Sequence, residues 1–322
     1  PDSSTYTFRL PAWMDRILGS ETADIFPLHA RGRLVGALVV GPTTDGRPLL
    51  GRRMNIVTGI AHQAAVAVVN DQLYAESAER SRMEQELNVA RTIQASLIPH
   101  EDPIVPGCKV TGYWEAAREV SGDFYDYYAL SDSRWGIAIA DVADKGVPAA
   151  LFMALSRTIL RTVAYNRQQP ARTLNRANRL IYGDTTSDLF VTAFYAVWDA
   201  DRGTLSYASG GHNPPLLIRS DGSSTLLRTD GIALGILEDV DIKEAKVQLN
   251  PGDVVVFYTD GVTEAINEDY DEFGLERLRI AAKSVRCSDV ASIVKAIREA
   301  ISDHSGATPQ YDDITLVVLK RN

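Results

Sequence analysis

At 322 residues the chain is long enough to hold two domains and a sizeable core. Its composition, 45% hydrophobic and 23% charged, is that of a folded globular protein, and a net charge of −9 argues against nonspecific nucleic-acid binding. The two cysteines, Cys108 and Cys287, lie far apart, which excludes a disulfide framework and a thiolate zinc site and fits a reducing compartment.

Residues 1–70 read as one unit. Two short apolar runs between Ile25 and Val40 are split by Arg31-Gly32-Arg33, which predicts a hairpin. Thr43-Thr44-Asp45-Gly46 reads as a turn, and Met54 to Val69 as a helix rich in Ala and Val. Residues 71–98 form a helical linker: from Gln72 to Leu97 there is neither Gly nor Pro. A heptad reading puts Leu73, Arg80, Met83, Leu87, Ala90, Gln94 and Leu97 on one seam, with Arg80 and Gln94 weakening it. A weak coiled coil, hence a homodimer, and a single amphipathic connector both satisfy this pattern. Pro99, Pro103 and Pro106 stop the helix.

Residues 99–322 then alternate strands and helices. Strands are expected up to Asp141, over Phe190–Trp198, Thr204–Ala208, Pro215–Arg219, Thr225–Arg228, Asp253–Thr259 and Ile314–Lys320. Helices are expected over Gly146–Ala164 and Pro170–Tyr182, with one long helical stretch from Leu275 to Ile301. Many strands flanked by two groups of helices predict an α+β sandwich with helices on its outer faces. No apolar run is read as reaching the roughly 18 residues of a membrane helix. The cysteine pattern makes a cytoplasmic location the expectation; the chain opens on Pro1, as a piece of a longer protein would, so an upstream membrane segment stays open.

Four acidic segments sit where apolar runs start or stop: Ser121 to Asp126, Asp141 to Gly146, Tyr258 to Gly261, and Tyr311 to Thr315. Asp141 and Asp260 end strands, while Asp123 and Asp312 begin them. If neighbouring strands are antiparallel, all four carboxylates meet at one rim. An oxygen-only cluster suits magnesium or manganese, and a pair of such ions can drive in-line attack on phosphorus. Taken singly, each segment is ordinary turn chemistry. Asp126 and Asp144 are weaker candidates, and spacing does not choose between Asp312 and Asp313. His212, in a Gly-Gly-His-Asn-Pro-Pro turn, reads as a loop buttress rather than an acid or base; Arg118 reads as a surface residue or a phosphate contact.

The ordered set Ala90 to Pro99, Ser121 to Asp126, Asp141 to Ala150, Gly210 to Pro215, Thr259 to Glu264 and Asp312 to Thr315 resembles the bacterial SpoIIE/RsbU-type serine/threonine phosphatases, of the metal-dependent PPM (type 2C-like) class. The resemblance covers about residues 88–322. It implies a PPM-type α-β-β-α sandwich, two Mn2+ or Mg2+ ions, and a phosphorylated anti-sigma-factor antagonist of STAS type as substrate in a signal-regulated partner-switching pathway. It also implies that Asp141 bridges the metals, that the Val142 carbonyl, Asp260 and Asp312 complete the ligand set, and that Asp123 holds a metal directly or through water. Gly122 and Gly261 would let the backbone turn beside the cluster. Two residues depart from the family pattern: Ser121 and Asp144 stand where glycine is usual. Leu28 to Val40 and Ile60 to Asn70 resemble the last half of a GAF sensory domain, with His62 on its helix, so a small-molecule or protein signal is expected there. A noncatalytic partner-switching module and a small-molecule metal phosphoesterase are the competing functions.

Overall fold

The computed structural model describes residues 6–9, 12–18, 22–41, 49–166, 169–184 and 189–322. The turn expected at Thr43–Gly46 lies outside them. The chain divides into two compact units, Pro1–Glu86 and Leu87–Asn322.

The first unit holds β1 (Tyr6–Arg9), α1 (Ala12–Leu18), β2 (Thr22–Ala30), β3 (Arg33–Val40) and the start of α2 (Arg52–Leu97). Its strands form an antiparallel sheet in the order β1-β2-β3. Ala30 pairs with Arg33 across a two-residue turn in which Arg31 and Gly32 both take positive φ, 49° and 73°. Such turns match the twist of the strands they join, as the Arg-Gly-Arg reading expected. Phe26, Leu28, Leu49, Ala61 and Ala65 make the small core. The helix read over 54–69 and the linker read over 71–98, joined without a breaker, are one element of 46 residues with a single Gly, Gly59, and no proline inside it. On the heptad seam Leu73 and Met83 are exposed, whereas Gln94 is buried.

The second unit continues with β4 (Cys108–Glu115), β5 (Phe124–Ala129), β6 (Arg134–Val142), α3 (Val147–Asn166), α4 (Pro170–Asp184), β7 (Val191–Asp199) and β8 (Thr204–Gly210). It is completed by β9 (Leu216–Ile218), β10 (Ser224–Leu226), β11 (Glu244–Gln248), β12 (Val254–Tyr258), α5 (Asp260–Thr263), α6 (Gly274–Ser284), α7 (Val290–Ser305) and β13 (Ile314–Arg321). Two five-stranded sheets result, β10-β9-β12-β13-β4 and β11-β8-β7-β6-β5, with every pairing antiparallel. The sheets share one core, where Phe194 of β7 and Phe257 of β12 meet edge to face at 5.9 Å. Helices α3 and α4 cover one sheet, and α7, with α6 beside it, covers the other. All five residues of β12 are buried, since this strand is covered on both faces, which is why it reads as a continuous apolar run. The layered α-β-β-α sandwich expected from the sequence is the architecture observed.

Three expectations need correction. The stretch from Leu275 to Ile301 is two helices, because Asp289 caps α7 by accepting from the Ser292 amide at 2.7 Å and ends any continuation from α6. Strands β4 and β11 were not foreseen: β11 alternates half-buried and exposed residues at a sheet edge and has little apolar signal. Helix α3 is, by length and composition, apolar enough to cross a membrane. Its apolar residues Phe152, Met153 and Leu160 pack instead on the sheet, and its Arg157 and Arg161 reach the fully buried Asp126 of β5 at 3.0 and 2.7 Å. Asp126 therefore ties α3 to the sheet. Removing it leaves two guanidiniums facing an apolar layer, so Asp126→Ala should destabilise the fold by about 3 kcal/mol. Urea denaturation, with an unchanged slope and a lower midpoint, checks this.

Candidate active site

Antiparallel register brings the acidic segments together. Phe124 pairs with Ala140, which sets Asp123 beside Asp141 at one end of one sheet. Tyr258 pairs with Leu316 in the other sheet, which brings Asp260 and the Asp312-Asp313 pair to an end of their own. Hydroxyls stitch the two sheets at this end: Thr259 and Thr315 donate to Asp123 Oδ2 at 2.7 and 2.6 Å.

The neighbouring aspartates 312 and 313 have different surroundings. Asp313 accepts from the Ala117 amide at 2.8 Å with one oxygen, and from the Ser121 hydroxyl and Gly122 amide at 2.6 and 3.0 Å with the other. It clamps the loop before β5. Asp312 accepts from the Asp313 amide and, at 2.9 Å, from Lys145 Nζ. Lys145, whose role the sequence reading missed, also lies 4.6 Å from the centre of the Tyr311 ring. The signal was its place directly after Asp144, inside an acidic motif.

Ser121 is a working part of the loop: its hydroxyl receives the Asp123 amide at 3.0 Å while donating to Asp313. The buried Gln94, near the end of α2, donates to the Ser121 carbonyl at 2.6 Å and accepts from the Ser121 amide at 2.9 Å. The residue that weakened the heptad thus has a partner elsewhere. Asp144 takes φ 88° and accepts from the Lys145 amide at 2.8 Å, a local turn bond at an exposed position. A Cβ on Gly261 would lie 2.1 Å from the Asp313 carbonyl, and one on Gly122 would lie 3.0 Å from the Val142 carbonyl. Both glycines are required by close backbone approach. His212 is buried, with Nδ1 at 2.8 Å from the Thr192 hydroxyl, and burial lowers its pKa to about 4, so it is neutral at neutral pH. Arg118 and His62 are exposed.

The rim carries more negative charge than its surroundings balance. Burial, then the charge of Asp141 and of Asp313, raises the Asp123 pKa well above the usual carboxylate range. Burial and Asp260 raise Asp141 to about 7, although it shares a hydrogen bond with Asp123; burial and Asp312 raise Asp260. These groups are oxygen donors of the hard-cation type, and they are short of positive charge. The Val142 carbonyl lies beside them, against Gly122. The donor set therefore fits a divalent metal in chemistry and charge. Among the described residues, however, no three such side chains stand close enough to grip an ion as they are. Asp312, held by Lys145, would have to change partner.

The layered sheets and acidic rim define the type 2C phosphatase class of fold. The SiaA-PP2C domain of Pseudomonas aeruginosa superposes with a TM-score of 0.67 at 22% identity, over 76% of this chain and 99% of that one. Residues 131–322 match the Stage II sporulation protein E (SpoIIE) family, and the chain belongs to that family. It is 32% identical to phosphoserine phosphatase RsbU of Bacillus subtilis over 245 residues, covering 75% of this chain and 70% of RsbU. It is 31% identical to protein IcfG of Synechocystis sp. over 266 residues, 74% of this chain but 42% of IcfG, so it spans under half the length of that relative.

The raised Asp141 pKa has a thermodynamic consequence. A carboxyl whose folded-state pKa lies above its unfolded value favours folding at low pH, and that contribution is lost as pH rises through about 7. In metal-free protein at pH 8, Asp141→Asn should therefore raise Tm, with a smaller gain at pH 5. Calorimetry of both proteins in chelator at the two pH values checks this.

Proposed function

We propose that this chain is a metal-dependent phosphatase acting on phosphoserine or phosphothreonine in a protein. The observation that carries the reading is the rim where Asp141 and Asp260, whose carboxyl pKa values are raised by burial and by neighbouring negative charge, share an end of the sandwich with Asp312, against which Lys145 is set. Asp141, the Val142 carbonyl, Asp260 and Asp312 would hold two Mn2+ or Mg2+ ions. Bound there, the ions would supply Lewis acidity and charge neutralisation toward a phosphoryl group.

The chain's own residues prepare that chemistry. Asp123 shares a hydrogen bond with the Asp141 carboxyl and is itself fixed by Thr259 and Thr315. It would serve the metals directly or through water. Asp313, with both oxygens engaged by the 117–122 loop, supports the assignment of Asp312 rather than itself as ligand. Lys145, released from Asp312, would meet the substrate phosphate as a point charge.

Manganese should turn on hydrolysis of p-nitrophenyl phosphate, and chelator should abolish it. Asp260→Asn should lower kcat at least about 100-fold, within the range for loss of a charge-stabilising group. Undiminished turnover in chelator, or in Asp260→Asn, would contradict the assignment.

The substrate that fits the family is a phosphorylated anti-sigma-factor antagonist of STAS type, in a cytoplasmic partner-switching pathway. RsbU, named a phosphoserine phosphatase, supports this. The sheet and helix of residues 1–70 serve as the GAF-like sensory segment, residues 71–98 as its linker and 99–322 as the phosphatase domain. The exposed Leu73 and Met83 on α2 support a homodimer formed along that helix. Sedimentation should give a dimer for the chain and a monomer for the double variant Leu73→Glu, Met83→Glu. A monomer for both would refute the pairing.

A further inference from the structure

A cleft of about 320 Å³ opens beside the rim, between α7, the end of β4 and the loop leading into β13. Its wall includes Gly261 and Asp312, so it is continuous with the candidate metal site. Its floor is apolar: Ile301 and Ile314 line it and belong to the buried core under α7. The Arg298 guanidinium of α7 lies over the Tyr113 ring, 3.8 Å from its centre, and both residues line the cleft. The loop that closes the far side is tethered, since the Gln310 side-chain amide donates to the Glu115 carbonyl at 3.2 Å and to the Asp312 carbonyl at 2.8 Å. The same tether therefore spans the end of β4 and the backbone of the candidate ligand Asp312.

We infer that this cleft is a substrate-specificity subsite, which takes a large aromatic or branched apolar side chain lying one to three residues from the phosphorylated residue. The inference rests on the phosphatase reading and names what that site would select. A volume at the small end of ligand pockets holds one or two side chains rather than a cofactor. An extended segment advances about 3.3–3.6 Å per residue, so a phosphoresidue at the rim places its near neighbours over the adjoining wall. Ile301, Ile314 and the Tyr113 ring offer contact to a flat or branched apolar group, while Glu115 and Glu264 in the same wall disfavour an acidic one. Docking there also presses on the tethered loop that carries Asp312, which couples substrate choice to the ligand set.

The test uses fluorescent phosphoserine peptides that carry Phe or Ala at the first, second or third position on either side. The whole chain, Ser302→Trp and Arg298→Ala are compared. Ser302 is exposed on α7 and lines the cleft, so tryptophan there fills it from the surface. Two quantities are read: kcat/KM for each peptide divided by kcat/KM for p-nitrophenyl phosphate with manganese, and peptide affinity by anisotropy in metal-free protein. One Phe peptide should exceed its Ala counterpart by about tenfold in both, as for one well-packed side chain. Ser302→Trp should erase that preference and Arg298→Ala should reduce it. Equal handling of Phe and Ala peptides, or a preference that survives Ser302→Trp, overturns the inference. If Ser302→Trp does not fold by circular dichroism, a preference undiminished in Arg298→Ala overturns it equally. If the chain hydrolyses nothing yet binds the Phe peptide more tightly, the phosphatase reading fails while the subsite stands.

Discussion

Like charges forced together are the constraint around which the catalytic unit is built. Aspartates from two sheets meet at one end of the sandwich, and burial makes their repulsion costly. The fold holds them there with neutral donors. Two threonine hydroxyls fix Asp123, and one serine hydroxyl with two backbone amides fixes Asp313. Such donors orient a carboxylate without cancelling its charge, so the rim stays attractive to a hard cation. Lys145, the ion-pair partner of Asp312, sits on the loop between β6 and α3.

The same network ties the site to elements that carry no chemistry. Gln94 grips Ser121 through both its amide donor and its acceptor, so the end of α2 bears on the loop that Asp313 clamps. On the far side of β5, Asp126 pins α3, the helix that follows the Asp141–Gly146 loop. The site is thus bracketed by two helices, each joined to it through one buried polar residue. Buried polar contacts of this kind fix a helix in register more sharply than apolar packing, which tolerates sliding.

Much of this was readable in advance. The hairpin at Arg31–Arg33, the strands ending near Asp141 and at Thr259, and the layered architecture follow from turn residues and apolar periodicity. The rim followed from one geometric step, that antiparallel neighbours put starts and ends at the same edge. What escaped has a common cause. The break between α6 and α7 rests on a single capping aspartate, Asp289, without glycine or proline to announce it. Strand β11 is polar because it is an edge. Gln94 looked like a flaw in a heptad because its partner is 27 residues away.

By itself the amino-acid sequence determined which residues carry charge, where the strands begin and end, and therefore that carboxylates gather at a sheet end. It could not divide the labour between Asp312 and Asp313, adjacent and chemically identical. Tertiary structure sets them in different surroundings, because the 117–122 loop presents its amides and a hydroxyl to Asp313 and leaves Asp312 to Lys145. It also decided the roles of Ser121, Gln94 and Lys145. A polar side chain's work is set by the partner it meets, and those partners are brought near only when distant strands pair.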